Sequence, residues 1–327
     1  MIQGIIFTIV LATGIFIFGK SIRRIRRNIF LGKPLDRSDN ASQRWMTMIR
    51  VALGQSKMTV RPVAAFFHLI VYAGFIIINI EVLEIIIDGI FGTHRILSFM
   101  GGFYDFLIGS FEILAVLVII ACVVFLARRN ILKLKRFWSK EMTSWPRSDA
   151  NIILFTEIIL MSLFLTMNAC DFLLQQSGEA HYIKAGSFPV SSVLSNLFTG
   201  VSASSLIIIE RFCWWAHIIG ILAFMNYLPF SKHFHILMAF PNTYYSNLNP
   251  KGRLTNLESV TNEVKLMMDP SLPPPPPTET PMRFGARDVR DLSWKQLMDA
   301  YTCTECGRCT SVCPANTTGK LLSPRKI

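Results

Sequence analysis

FLIGSFEILAVLVIIACVVFLA, residues 106–127, is a run of 22 residues whose only charged side chain is Glu112. An α-helix rises about 1.5 Å per residue, so roughly 20 apolar residues cross the hydrocarbon layer of a bilayer. A run this long and this poor in charge reads as a membrane-spanning helix. Working outward from it, four further stretches read the same way: 2–19, 63–90, 150–173 and 206–238. The first has no basic stretch before it and no A-x-A-like site after it, so it reads as a retained span rather than a cleaved signal peptide. The expected fold is all-α: a five-helix transmembrane bundle with a small helical ferredoxin-like tail on the cytoplasmic side.

The bulk properties agree. Of 327 residues 51% are hydrophobic, mean hydropathy is +0.42 and the formal net charge is +12. The positive charge is distributed unevenly. Segment 20–62 carries eleven Lys and Arg and segment 128–149 carries seven, whereas 91–105 and 174–205 carry one each, Arg95 and Lys184. The positive-inside rule then puts the N-terminus outside and the C-terminus in the cytoplasm, with a bacterial inner membrane as the expected location. Since the charge sits where topology requires it and no nucleic-acid motif accompanies it, nucleic acid is excluded as a partner.

From about residue 239 the composition turns polar. The chain divides into a membrane domain over 1–240, a linker over 241–283, and the start of a ferredoxin-type domain over 284–327. PPPPP at 273–277 reads as a short polyproline II spacer or as plain disordered linker. Beyond it, Ser293 and Gln296 have the spacing of a capping box, and Trp294, Leu297, Met298 and Tyr301 follow at near-helical intervals. A short helix therefore delivers the chain to Cys303.

Seven cysteines are present. Cys122, Cys170 and Cys213 fall inside spans and read as small apolar packing residues. Cys303, Cys306, Cys309 and Cys313, followed by Pro314, form C-x2-C-x2-C-x3-C-P. Two-residue gaps let thiolates converge on one cubane, and this run is the [4Fe–4S] spacing. Zinc usually takes two separated pairs, and a reducing cytoplasm disfavours disulfides. In such runs the first three cysteines commonly hold one cluster and the fourth ligates a second. Only one run is present, so Cys313 serves this cluster or another. The expectation is a fragment of a longer protein, or a partner that supplies the complementary cysteines; the alternative is one cluster on all four.

The six histidines are His68, His94, His181, His217, His233 and His235. A polar side chain at membrane depth is costly, which makes it a functional candidate. Bis-histidine haem b needs imidazoles from facing helices at one depth. His68 and His235 both fall near the cytoplasmic face and are the expected pair. His233, about 160° around the helix from His217, is the reserve ligand. In a continuous fifth helix His217 and His235 point the same way about 27 Å apart. His217 then lies in the outer half, as a ligand of a second haem, a quinone-site residue or a buried hydrogen-bonded one. The second span offers it no imidazole: ten residues beyond His68 is Ile78. His94 reaches that depth only if its loop folds back, and His181 reads as a surface residue. Glu81, Glu84, Asp88, Glu112, Glu157 and Glu210 also enter the membrane zone, where such groups accept quinol protons or pair at helix ends.

WWAHIIGILAFMNYLPFSKHFHILMAF, residues 214–240, resembles the last helix of the cytochrome b (gamma) subunit of respiratory nitrate reductase and of the related membrane subunits of heterodisulfide reductase. Residues 284–327 resemble the start of the ferredoxin-like module of heterodisulfide reductase iron–sulfur subunits. The resemblance implies a quinol-linked electron-transfer subunit in which His68 and His235 hold the haem nearer the cytoplasm and His217 the outer one. The chain departs from that pattern at Ile78 and in lacking a second cysteine run. The expected function is electron transfer between the membrane quinone pool and a cytoplasmic iron–sulfur or catalytic oxidoreductase partner, through haem b and a [4Fe–4S] cluster. The alternatives are a haem-free membrane anchor for an iron–sulfur domain, or a redox-sensing transporter; against the latter, no inverted repeat is visible.

Overall fold

The computed structural model describes residues 2–250, 252–253, 256–273 and 285–327. The fold is 71% helical with no strand among the described residues. Its helices are α1 (Ile2–Ile29), α2 (Ala41–Met48), α3 (Pro62–Phe91), α4 (Gly102–Leu126), α5 (Ser144–Ser177), α6 (Ser191–Leu194), α7 (Ala203–Tyr227), α8 (His235–Tyr244), α9 (Glu258–Met268), α10 (Trp294–Thr302), α11 (Arg308–Ser311) and α12 (Pro314–Thr317). Five helical segments are long and apolar enough to cross a membrane: Ile2–Ile29, Pro62–Phe91, Gly102–Ile131, Ser144–Ser177 and Ala203–Phe230. Of the proline run at 273–277, all but Pro273 lies outside the described residues.

The spans outrun the apolar stretches that announce them. α1 continues through Lys20 to Arg27, because Lys and Arg are good helix formers whose long stems reach away from hydrocarbon. α3 starts on Pro62, where the missing N–H costs nothing, and stops at Gly92 with φ 72°; α5 stops the same way at Gly178 with φ 77°. α4 closes in a π-helical turn, Ala127–Ile131.

The fifth stretch departs from expectation. It does not run unbroken to 238: α7 ends at Tyr227, Pro229 sits in a 3₁₀ turn over Leu228–Phe230, and Ser231 is extended. Proline cannot donate into the helix, and the freed backbone finds other partners. Lys232 N–H donates to Asp149 Oδ2 at 3.0 Å, and the Tyr227 hydroxyl donates to Asp149 Oδ1 at 2.5 Å. The helical register assumed between His217 and His235 is therefore lost.

The chain forms two compact units, one of Met1–Ile22, Lys57–His233 and Thr304–Ile327, the other of Arg23–Ser56 and Phe234–Cys303. In the first, α5 packs on α7 and α4, and α4 on α3. Their apolar seam includes Phe7, Ile78, Ile108, Phe111, Phe164 and Ile218. Glycines permit close approach, as membrane helices require: a Cβ on Gly4 would stand 2.7 Å from the Ile90 carbonyl oxygen. Large apolar side chains such as Phe16, Phe106, Phe155 and Phe212 point outward. In the second unit α8 packs against α2 and α10. The buried Arg44 donates to the carbonyls of Asp39, Tyr244 and Ser246. The capping box at Ser293 and Gln296 opens α10, as the spacing predicts.

Candidate iron–sulfur centre and histidine sites

Cys303 closes α10 in the second unit, with its N–H donating to the Ala300 carbonyl at 3.3 Å. Cys306, Cys309 and Cys313 belong to the first unit. There the chain turns on two left-handed residues, Glu305 at φ 53° and Gly307 at φ 71°. A side chain at Gly307 would be strained by φ and would also meet the Arg325 guanidinium at 2.7 Å. Cys309 lies in the one-turn α11, and Cys313 caps α12 with Pro314 following. Cys303, Cys306 and Cys309 are exposed and Cys313 is half-buried. Among the described residues no three His, Cys, Asp or Glu side chains close to metal-holding distance. The donor chemistry is what fits iron and sulfide: four soft sulfur donors at the required sequence spacing.

The turn is tied to the ends of the spans in its own unit. Lys232 Nζ donates to Glu305 Oε2 at 2.6 Å and to the Pro146 carbonyl at 2.6 Å. Arg61 reaches the Cys306 carbonyl at 3.4 Å, and Arg308 donates to the Lys57 carbonyl at 2.9 Å. Arg325 binds the Arg136 carbonyl at 2.8 Å, Glu141 Oε1 at 2.7 Å and the Ser139 hydroxyl. Ser323 Oγ donates to the same Glu141 oxygen at 3.0 Å. Burial alone would raise the Glu141 carboxyl; hydrogen bonds from its own backbone and from Arg325, Ser323 and Ser139 outweigh it and push it down to about 2.

The histidines separate into different roles. His68, on α3 in the first unit, and His235, the first residue of α8 in the second, are both half-buried. His233 lies 5.4 Å from the Phe224 ring, centroid to centroid, and its N–H donates to Ser231 Oγ at 3.1 Å. His217 is 2% exposed, with Nδ1 2.9 Å from the Leu160 carbonyl oxygen and the Phe164 ring beside it. It is a hydrogen-bonded histidine in the α5–α7 seam. His94 does fold inward, but onto a carboxylate: its Nε2 lies 3.2 Å from Asp171 Oδ1, and its buried Nδ1 has no partner among the described residues. The ring of the exposed His181 lies 5.5 Å from it, centroid to centroid, tilted by 51°.

Around His94 lies a polar network that sequence reasoning missed. Arg95, at φ 51° and 6% exposed, donates to Asp171 Oδ2 at 2.6 Å, to Asn168 Oδ1 at 2.9 Å and to the Tyr104 hydroxyl at 3.1 Å. Tyr104 passes a hydrogen bond to Glu84, and Asn168 one to Glu112. Glu112 also accepts the N–H groups of Val190 and Ser191 at 2.9 and 3.0 Å, which fixes that connection over the bundle. Glu81 is buried with Oε2 unpartnered among the described residues. The lone Arg95 between two charge-poor spans was the available signal, since an arginine at membrane depth requires a carboxylate.

Residues 294–315, which contain all four cysteines of the run, match a 4Fe-4S binding domain. Over 326 residues the chain is 27% identical to the probable iron-sulfur-binding oxidoreductase FadF of Bacillus subtilis, covering 99% of this chain and 42% of that protein. It is 25% identical over 333 residues to the EtfAB:quinone oxidoreductase of Syntrophomonas wolfei, with coverage of 99% and 42%. A probable membrane-anchored ferredoxin of Chromohalobacter salexigens is 42% identical over 44 residues, 14% of this chain and 7% of that one. No solved structure matches. The chain thus spans less than half the length of these relatives and resembles iron–sulfur oxidoreductases with a 4Fe-4S domain; the comparisons carry the nitrate-reductase-type cytochrome resemblance no further.

Proposed function

We propose that the chain is a membrane electron-transfer component linking the quinone pool, through one haem b, to a cytoplasmic [4Fe–4S] cluster and onward to a partner oxidoreductase. Its N-terminus faces outward across a bacterial inner membrane and its cysteine tail lies in the cytoplasm. The observation that carries the reading is the four-thiol run on a turn that Lys232, Arg61 and Arg325 fasten to the ends of the spans. A relative named for quinone oxidoreduction supports the quinone half.

Bound, the cluster and the haem supply one-electron transfer. Cys303, Cys306, Cys309 and Cys313 would hold the first, or Cys313 would instead serve a second cluster completed by a partner or by further chain. His68 and His235 are the residues proposed to hold the second. His217, bonded to Leu160, packs the bundle, and Ile78 lies in the apolar seam.

The test is a dithionite-reduced minus oxidised visible spectrum of anaerobically purified protein, with a pyridine haemochrome assay and iron quantification. The expected result is one b-type haem per chain, lost in His68→Ala and in His235→Ala and kept in His217→Ala. The 44-residue likeness to a probable membrane-anchored ferredoxin favours a second reading, a haem-free anchor of an iron–sulfur domain. Cluster iron without any haem selects it.

A further inference from the structure

α4 ends and α5 begins around a cavity of about 240 Å³. No carboxylate lines it, while Arg129 and Arg147 both do. Neither arginine forms an ion pair among the described residues, and Arg129 Nε is buried without a hydrogen-bond partner. Asp149 and Glu305 act on Arg129 through charge alone, and both are bonded to Lys232 or Tyr227 instead. Aromatic rings fix both guanidinium planes: Arg129 lies 4.6 Å over Phe137 and Arg147 4.6 Å over Trp138. Trp138 is held in turn by its indole N–H donating to the Arg129 carbonyl at 2.7 Å. Ser144, Ser148 and Asn151 add neutral polar atoms to the wall.

A buried guanidinium edge without an acceptor costs free energy that an anionic oxygen would recover, and a planar fork suits phosphate. The surroundings point to the kind of phosphate. The cavity sits where two candidate spans meet the polar connection between them, and α5 goes on from its lining residue Asn151 with exposed apolar side chains, Ile152 and Phe155. Ile131 and Leu132, which follow its lining residue Asn130 in sequence, are exposed and apolar as well. Phosphate chemistry bordered by outward-facing hydrocarbon describes a phospholipid headgroup with its acyl chains on α5. We infer that this cavity is a specific site for an anionic phospholipid, with Arg129 and Arg147 binding the phosphate. The inference is independent of the electron-transfer reading.

Full-length protein in detergent, given equimolar phosphatidylglycerol and phosphatidylcholine and read by native mass spectrometry, tests it. Wild type should retain phosphatidylglycerol in preference by about tenfold, as expected for two arginines meeting an anionic headgroup. The preference should vanish in Arg129→Gln/Arg147→Gln and persist in Lys140→Gln, an exposed cation outside the cavity. An unchanged melting temperature in the double variant reports that it folds; if it does not, Arg147→Gln alone must lower the preference. Equal retention of the two lipids by wild type, or equal loss in Lys140→Gln, overturns the site. Displacement of the lipid by millimolar inorganic phosphate overturns the lipid assignment and leaves a soluble-phosphate site.

Discussion

Arg95 and Asp171 are both nearly dry and lie at one end of the bundle, so each depends on the other. A buried ion pair contributes little net stability relative to an apolar pair of similar volume, whereas one partner left alone is an uncompensated charge costing about 3–5 kcal/mol. Arg95→Met should therefore lower the melting temperature in detergent sharply. Arg95→Met/Asp171→Leu should recover most of the loss, because both charges leave together. A double variant as unstable as the single one would mean that Asn168 and Tyr104, rather than the charge balance, carry the network. At this scale the sequence was legible in part. The cysteine run declares its chemistry by spacing alone, and so does the serine–glutamine cap of α10. The intramembrane carboxylates Glu84 and Glu112 declare only that they need partners. Their actual bonds, to Leu97 N–H and Tyr104 and to Asn168 and the Val190–Ser191 backbone, depend on tertiary placement that no local pattern encodes.

Among the elements, the five spans were readable because a lipid-facing helix must be apolar over a set length. Their ends were not, since capping glycines and basic extensions prolong a helix without prolonging its apolar run. The break after Tyr227 is the instructive miss: LPF looks tolerable inside a long helix until Asp149, from α5, captures the Lys232 amide. Helix contacts carry their own prediction. A Cβ on Gly4 would meet a backbone oxygen of α3 at 2.7 Å, which cannot rotate aside, while one on Gly14 would meet Leu222 side-chain atoms at 3.3 Å, which can. Gly4→Ala should thus destabilise by about 1–3 kcal/mol and Gly14→Ala by less than about 1. Thermal unfolding of the two variants side by side checks the order; equal losses would show that α1 shifts as a rigid rod at both positions.

For the molecule as a whole, the run C-x2-C-x2-C-x3-C says which atoms bind and is silent on what its turn rests against. Those contacts come from Lys57, Arg61, Glu141 and Lys232, far upstream in the chain. Individually such partly exposed pairs contribute about 0–1 kcal/mol. Acting together on one short turn they add up to a few kcal/mol, enough to slow its opening by one to two orders of magnitude. Glu141 makes the fastening pH-dependent. Its carboxyl is held at about 2 against an ordinary 4.5, so its contribution is fully present above about pH 4.5 and is lost as pH falls toward 2. Hydrogen exchange over residues 304–327 should accordingly rise between pH 4.5 and 2, after correction for intrinsic exchange rates, and Glu141→Gln should flatten that rise. Lys232→Met acts on the same turn from its other side, at a pH where Glu141 is ionised, and should raise exchange over 304–313 while the four thiols keep their iron. Lys232→Glu/Glu305→Lys should restore protection if the ion pair itself is the fastening. Exchange in Lys232→Met indistinguishable from wild type would mean that Arg61 and Arg325 hold the turn without it.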